Sequence, residues 1–176
     1  MGKRHNIVLT GFMGTGKTTV GKIVSKKLGY PFVDIDELIE KAMGMRISEI
    51  FEKFGEARFR DIESAMISHV TEKTGQVIST GGGAILKEEN LVNMRKKGVV
   101  FCLNASADTV FERVKHNDDR PLLKSPDVRA KIKELMDKRR VFYEKADYMI
   151  DTENLTPEEI AEEIINIYRE ITDGKN

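Results

Sequence analysis

The stretch Gly11-Phe12-Met13-Gly14-Thr15-Gly16-Lys17-Thr18 restricts the fold of this chain more than any other. It fits the pattern Gly-x-x-x-x-Gly-Lys-[Ser/Thr]. The apolar run NIVLT (6–10) precedes it, and the amphipathic stretch TVGKIVSKKLG (19–29) follows it. A loop of this kind works only between a buried strand and a helix. Its glycines let backbone N–H groups converge on an anion without side-chain obstruction. The helix that follows points its positive end at the same place.

The rest of the chain continues that plan. Four more β-rich runs follow: FVDID (32–36), VIST (77–80), VVFCL (99–103) and YMID (148–151). Helix-patterned segments lie between and after them, at 17–28, 37–44, 47–54, 57–74, 87–97, 106–116, 127–146 and 157–172. Alternating strand and helix predicts an α/β fold, a mostly parallel sheet with helices on both faces. Thr156-Pro157-Glu158-Glu159 supplies a cap, a proline at the first helical position and acid in the first turn. The segment 117–126, NDDRPLLKSP, has two prolines and no periodicity, and it reads as a mobile surface loop.

Bulk composition sets limits. At 176 residues the chain suits one domain with a substantial core. Lys plus Arg and Asp plus Glu balance at 29 each, which argues against a generic nucleic-acid or membrane-surface binder. No apolar run reaches the ~20 residues needed to span a bilayer. The single cysteine, Cys102, lies in VVFCL and reads as a buried strand residue. With no export signal legible, a cytoplasmic location is expected. His5, His69 and His116 are scattered and lack metal-ligand spacing.

The glycine loop predicts a nucleoside triphosphate, with Lys17 reaching the β- and γ-phosphates and Thr18 placed for Mg²⁺. It does not by itself separate an NTPase, a switch GTPase and a small-molecule kinase. No Asn-Lys-x-Asp base-reading motif is present. Alternation along FVDID places Asp34 and Asp36 on one side of a strand end, one for metal support and one for an acceptor hydroxyl. The simpler alternative is that one of them caps the next helix. The third strand ends in Gly81-Gly82-Gly83, which admits a ligand against bare backbone or merely turns the chain. Arg60 and Glu63 are three apart and share a helix face. Either they make a fixed guanidinium fork or, the favoured reading from spacing alone, a surface ion pair. Arg120, on the proline-rich loop, is placed to close over a transferring phosphoryl group.

These segments form an ordered series: GFMGTGKTTVGK, FVDID, ISEIFEKFGEARFRDIE, STGGGA, DDRPLL and RRVFYEKADYMIDT. The series resembles the shikimate kinase family over about residues 6 to 152. The resemblance implies a P-loop three-layer sandwich like that of the nucleoside monophosphate kinases, with a five-stranded parallel sheet in order 2-3-1-4-5. It implies a single domain over 1–176, a mobile lid near 117–126 and a substrate-binding helical region near 37–63. The implied activity is ATP-dependent phosphorylation of shikimate to shikimate 3-phosphate, in aromatic amino-acid biosynthesis, by a cytoplasmic monomer. The implied cofactor is Mg²⁺, and the implied partners are ATP and shikimate alone, with no nucleic acid or membrane.

By the same resemblance, Gly14, Thr15, Gly16, Lys17, Thr18 and Thr19 wrap the phosphates, and Arg113 flanks adenine. Thr18 binds the metal, and Asp34 supports it through water. Asp36 binds the acceptor hydroxyls and acts as base; Lys17 and Arg120 complete the catalytic set. Arg60 and Arg139 hold the substrate carboxylate, with Glu63 orienting Arg60. Gly81, Gly82 and Gly83 meet the ring hydroxyls. Ile47, Phe51 and Phe59 wall the apolar side, or are ordinary helix core. The proline expected within 139–143 is absent, and counting back from Tyr143 selects Arg139 over Arg140. Two rival readings follow from the P-loop alone: another small-molecule kinase, for gluconate or a nucleotide, and an ATP-binding module without an acceptor.

Overall fold

The computed structural model describes residues 5–115 and 126–174. Five strands form one parallel sheet: β1 (Asn6–Thr10), β2 (Phe32–Asp34), β3 (Val77–Ser79), β4 (Gly98–Asn104) and β5 (Tyr148–Asp151). Their order is β2-β3-β1-β4-β5, as the resemblance implies. The helices are α1 (Lys17–Leu28), α2 (Ile35–Met43), α3 (Ile47–Val70), α4 (Glu88–Lys96), α5 (Ala107–Val114), α6 (Val128–Tyr143) and α7 (Pro157–Asp173).

Two hydrophobic cores sandwich the sheet. Ile7 and Leu9 of β1 join Val20 and Val24 of α1 and Ile160, Ile164 and Tyr168 of α7 on one face. Val8, Ile78, Val100 and Cys102 face α2 to α6 on the other. Alternate residues of β1 thus serve opposite cores, which is why NIVLT is buried throughout. Cys102 is 1% exposed, and burial pushes its thiol up to about 12, with Lys17 opposing. It is a packing residue, as expected. Asn6 secures the opposite end of β1, its side chain donating to the Lys73 carbonyl at 2.7 Å and accepting from the Gln76 N–H at 3.0 Å.

Several boundaries differ from the sequence reading. The second strand stops at Asp34, and α2 begins at Ile35, so Asp36 lies in the first helical turn. The cause is Asp34 itself, whose carboxylate accepts from the N–H groups of Asp36 and Glu37 and caps α2. The third helix ends at Val70 and the sixth at Tyr143, short of the expected 74 and 146. The expected break between 54 and 57 is present: Gly55, at φ 79° and ψ 167°, leaves the helical region inside α3.

Candidate functional site

The P-loop runs from the end of β1 to the start of α1. Gly11 takes φ +132°, and a Cβ there would lie 2.3 Å from the Leu103 carbonyl oxygen. Gly11→Ala is therefore expected to destabilise the fold by about 3 kcal/mol or more, combining strain and steric clash. A urea midpoint within error of the parent would contradict this account.

Inside the loop, the Thr15 hydroxyl turns inward and donates to the Phe12 carbonyl at 2.8 Å. Lys17 Nζ donates to the Gly11 and Phe12 carbonyls at 2.8 and 2.9 Å. The N-cap of α1 is Gly16, at φ 95°, which offers no side-chain oxygen, and the first turn carries no acid. The caps of α2, α5, α6 and α7, by contrast, each accept from their own helix through a side chain. The start of α1 is thus left suited to an external anion.

Asp34 serves two structures at once. One carboxylate oxygen caps α2 and the other accepts from the Thr18 hydroxyl at 3.2 Å. The two acidic residues reach the site by different means from those expected. Strand alternation is not what aligns them, because Asp36 is on α2. Both nevertheless line one cavity of about 620 Å³.

That cavity joins the nucleotide and acceptor sides of the site. Gly14, Gly16, Lys17, Thr18 and Thr19 contribute the P-loop side. Asp34 ends β2, Asp36 lies in the first turn of α2, and Gly81, Gly82 and Gly83 follow β3. Arg60, Glu63 and Arg139 contribute the charged wall, and Ile47, Phe51 and Phe59 the apolar one. Phe51 and Phe59 pack with ring centroids 4.6 Å apart, one from each side of the Gly55 break. Its place beyond the carboxyl ends of the strands is where open α/β sheets take ligands.

The Arg60–Glu63 pair is not the surface contact that spacing alone favoured. Glu63 is 0% exposed, and Arg60 Nη1 donates to it at 2.8 Å. Burial raises the Glu63 pKa, the Arg60 charge and hydrogen bond oppose that, and Asp36 reinforces it. Burial pulls Arg60 down, yet Glu63 and Glu56 together hold it above its ordinary value. Glu56 is a partner the sequence reading missed, accepting from Arg60 Nη2 at 3.2 Å. Its i,i+4 spacing to Arg60 was the available signal.

The glycine turn explains how these groups sit so close. A Cβ on Gly83 would lie 2.4 Å from the Arg60 guanidinium. One on Gly81 would lie 2.8 Å from Glu63 Oε1 and 3.1 Å from Asp36 Oδ1. The turn is bare so that two carboxylates and a guanidinium can approach its backbone.

The two adjacent arginines of α6 separate clearly. Arg139 is 8% exposed, lines the cavity and lies over the Phe12 ring at 5.7 Å. Arg140 is exposed and donates to Glu144 at 2.8 Å. Two expected nucleotide contacts do not line the cavity: Thr15, whose side chain braces the loop, and Arg113, whose Nη1 donates to the Gly14 carbonyl at 3.1 Å. Arg120 lies outside the described residues, as does nearly all of the 117–126 segment. Arg58 is exposed.

Comparisons with known proteins identify the chain's relatives. The profile of the shikimate kinase family matches residues 13–169. A shikimate kinase of Thermodesulfovibrio yellowstonii is 61% identical over 170 residues, 97% of this chain and 98% of that protein. Among solved structures, a shikimate kinase from Acinetobacter baumannii in complex with shikimate superposes with TM-score 0.90 at 34% identity, covering 98% of this chain and 95% of that one. The Aquifex aeolicus shikimate kinase gives TM-score 0.83 at 41% identity, covering 94% and 97%. The family profile, the curated relative at 61% identity and the shared sheet order agree, and the chain belongs to the shikimate kinase family.

Proposed function

We propose that the cavity transfers the terminal phosphoryl group of ATP to the 3-hydroxyl of shikimate, releasing ADP and shikimate 3-phosphate for aromatic amino-acid synthesis. The observation that carries this reading is one cavity lined both by a P-loop and by two arginines, the buried Arg139 and the half-buried Arg60, with Asp36 lining it too. A nucleotide binder without an acceptor has no use for the second half. Shikimate has a carboxylate for the guanidinium groups and hydroxyls for Asp36 and the glycine turn.

The chemistry follows from the placements. Gly14, Gly16, Lys17, Thr18 and Thr19 bind the phosphates, and Lys17 offsets charge that grows on the oxygens leaving with ADP. The Thr18 hydroxyl and the Asp34 carboxylate, 3.2 Å apart, are hard oxygen donors that suit Mg²⁺, with Asp34 acting through water. When bound, the metal neutralises phosphate charge. Asp36 orients the acceptor hydroxyl and takes its proton as the oxygen–phosphorus bond forms. The bond from the γ-phosphorus to the bridging oxygen breaks, and ADP carries that electron pair. Arg60 and Arg139 grip the ring carboxylate, with Glu63 fixing the Arg60 fork. Arg120 is assigned the cis arginine of the lid and Arg113 the nucleotide side. The reading takes the chain as one domain over 1–176 with acceptor contacts from 37–63. It treats the protein as a cytoplasmic monomer needing only two small substrates. Among the described residues no helix is long and apolar enough to cross a membrane.

A coupled assay against shikimate, gluconate and nucleoside monophosphates tests the function. Phosphorylation of shikimate alone is expected, and turnover confined to another acceptor refutes it. The arginine assignment has its own check. Arg139→Ala is expected to raise the shikimate KM by about 10- to 100-fold, the scale of a lost charge-assisted contact. Arg140→Ala should leave it within about twofold, as for an exposed helical pair. Reversed effects would exchange the two roles.

A further inference from the structure

Tyr143 ends α6, 61 residues away in sequence from the glycine turn, and its hydroxyl donates to the Gly82 carbonyl at 2.7 Å. The ring is only 7% exposed. The turn it holds meets three charged groups of the acceptor side. Gly81 abuts Glu63 and Asp36, and Gly83 abuts the Arg60 guanidinium. A Cβ on Gly82 would lie 3.3 Å from the Gly11 carbonyl oxygen and 3.4 Å from the Met13 nitrogen, so the turn also leans on the P-loop backbone. Arg139 is one helical turn before Tyr143, on the same face of α6. A single helix end therefore carries one cavity arginine directly and fixes the backbone against which the other arginine stacks.

We infer that Tyr143 is a positioning residue for the acceptor: its hydrogen bond sets the 81–83 turn so that the turn, Arg60 and Arg139 match one ring at once. The bond directs the Gly82 carbonyl toward α6. Without it, the turn gains a rotational freedom that three consecutive glycines do nothing to limit. Burial pushes the phenol up to about 12, with Arg139 opposing, so the group remains a donor throughout the neutral range. This inference rests on the acceptor reading above.

Tyr143→Phe tests it, because the ring that fills the core is kept and only the hydroxyl is lost. The shikimate KM is expected to rise about 5- to 10-fold, with kcat and the ATP KM within about twofold of the parent. Amide exchange at 82–84, followed in the full chain without substrate, is expected to quicken while the central strands stay protected. A shikimate KM within twofold of the parent overturns the inference. So does equal weakening of both substrates, or unchanged exchange at the turn. Failure of the parent chain to phosphorylate shikimate would instead overturn the function, and the substrate-free exchange measurement would still report on the turn.

Discussion

Asp36→Asn is expected to slow phosphoryl transfer by about 10²- to 10⁴-fold, the usual contribution of a positioned general base. The substitution keeps the shape and hydrogen-bonding reach of the side chain and removes its capacity to take a proton. It also leaves α2 intact, because the cap of that helix is Asp34. Single-turnover rates, with shikimate binding measured separately, give the answer. A normal rate with normal binding would take Asp36 out of the chemical step. A normal rate with weakened binding would confine it to orienting the ring.

Arg60→Ala is expected to raise the shikimate KM by about 10²-fold or more, from loss of a two-pronged charged contact, while the ATP KM moves little. It also has a cost within the fold. The variant leaves the fully buried Glu63 carboxylate without the guanidinium beside it, a defect worth about 3–5 kcal/mol. The sign of its pH dependence follows from the cause. Burial already raises the Glu63 pKa, and removing Arg60 removes the main opposing influence. A carboxyl whose folded pKa is raised supports the fold below its unfolded value and loses that support as pH rises from that value through the raised folded one. The variant should therefore be closest to the parent in stability below about pH 4 and fall progressively further behind as pH rises from there through the raised Glu63 pKa. Thermal unfolding across pH measures it, and Arg60→Ala with Glu63→Gln should recover much of the high-pH loss. Equal weakening of ATP and shikimate would contradict the carboxylate assignment. A stability gap independent of pH would contradict the electrostatic one.

The parts of this structure legible in the sequence are those with a local cause. β1 announces itself because both its faces are buried, and the P-loop because a strand and a helix must flank it. The Gly55 break was readable from a glycine between two helical patterns. Asp36 was found but given the wrong setting. Asp34 with Glu37 three residues on carries a capping pattern, and that pattern prevailed over strand alternation. Spacing placed Arg60 and Glu63 on one face without giving their depth, which depends on Gly81 and Gly83 arriving from β3. Arg139 was separable from Arg140 only by family resemblance, since adjacent helical residues look alike until the core decides which points inward. The hydrogen bond from Tyr143 to Gly82 had no local signal at all.

The missing side-chain cap at Gly16 has a consequence beyond catalysis. A phosphate seated there completes a helix whose own sequence leaves it unfinished, so cargo and scaffold share one account of stability. By mass action, a ligand held at a hundred times its Kd adds about 2.7 kcal/mol to the folded state. Well-supplied enzyme is thereby the heat-resistant form, and a chain starved of nucleotide is the one most exposed to proteolysis.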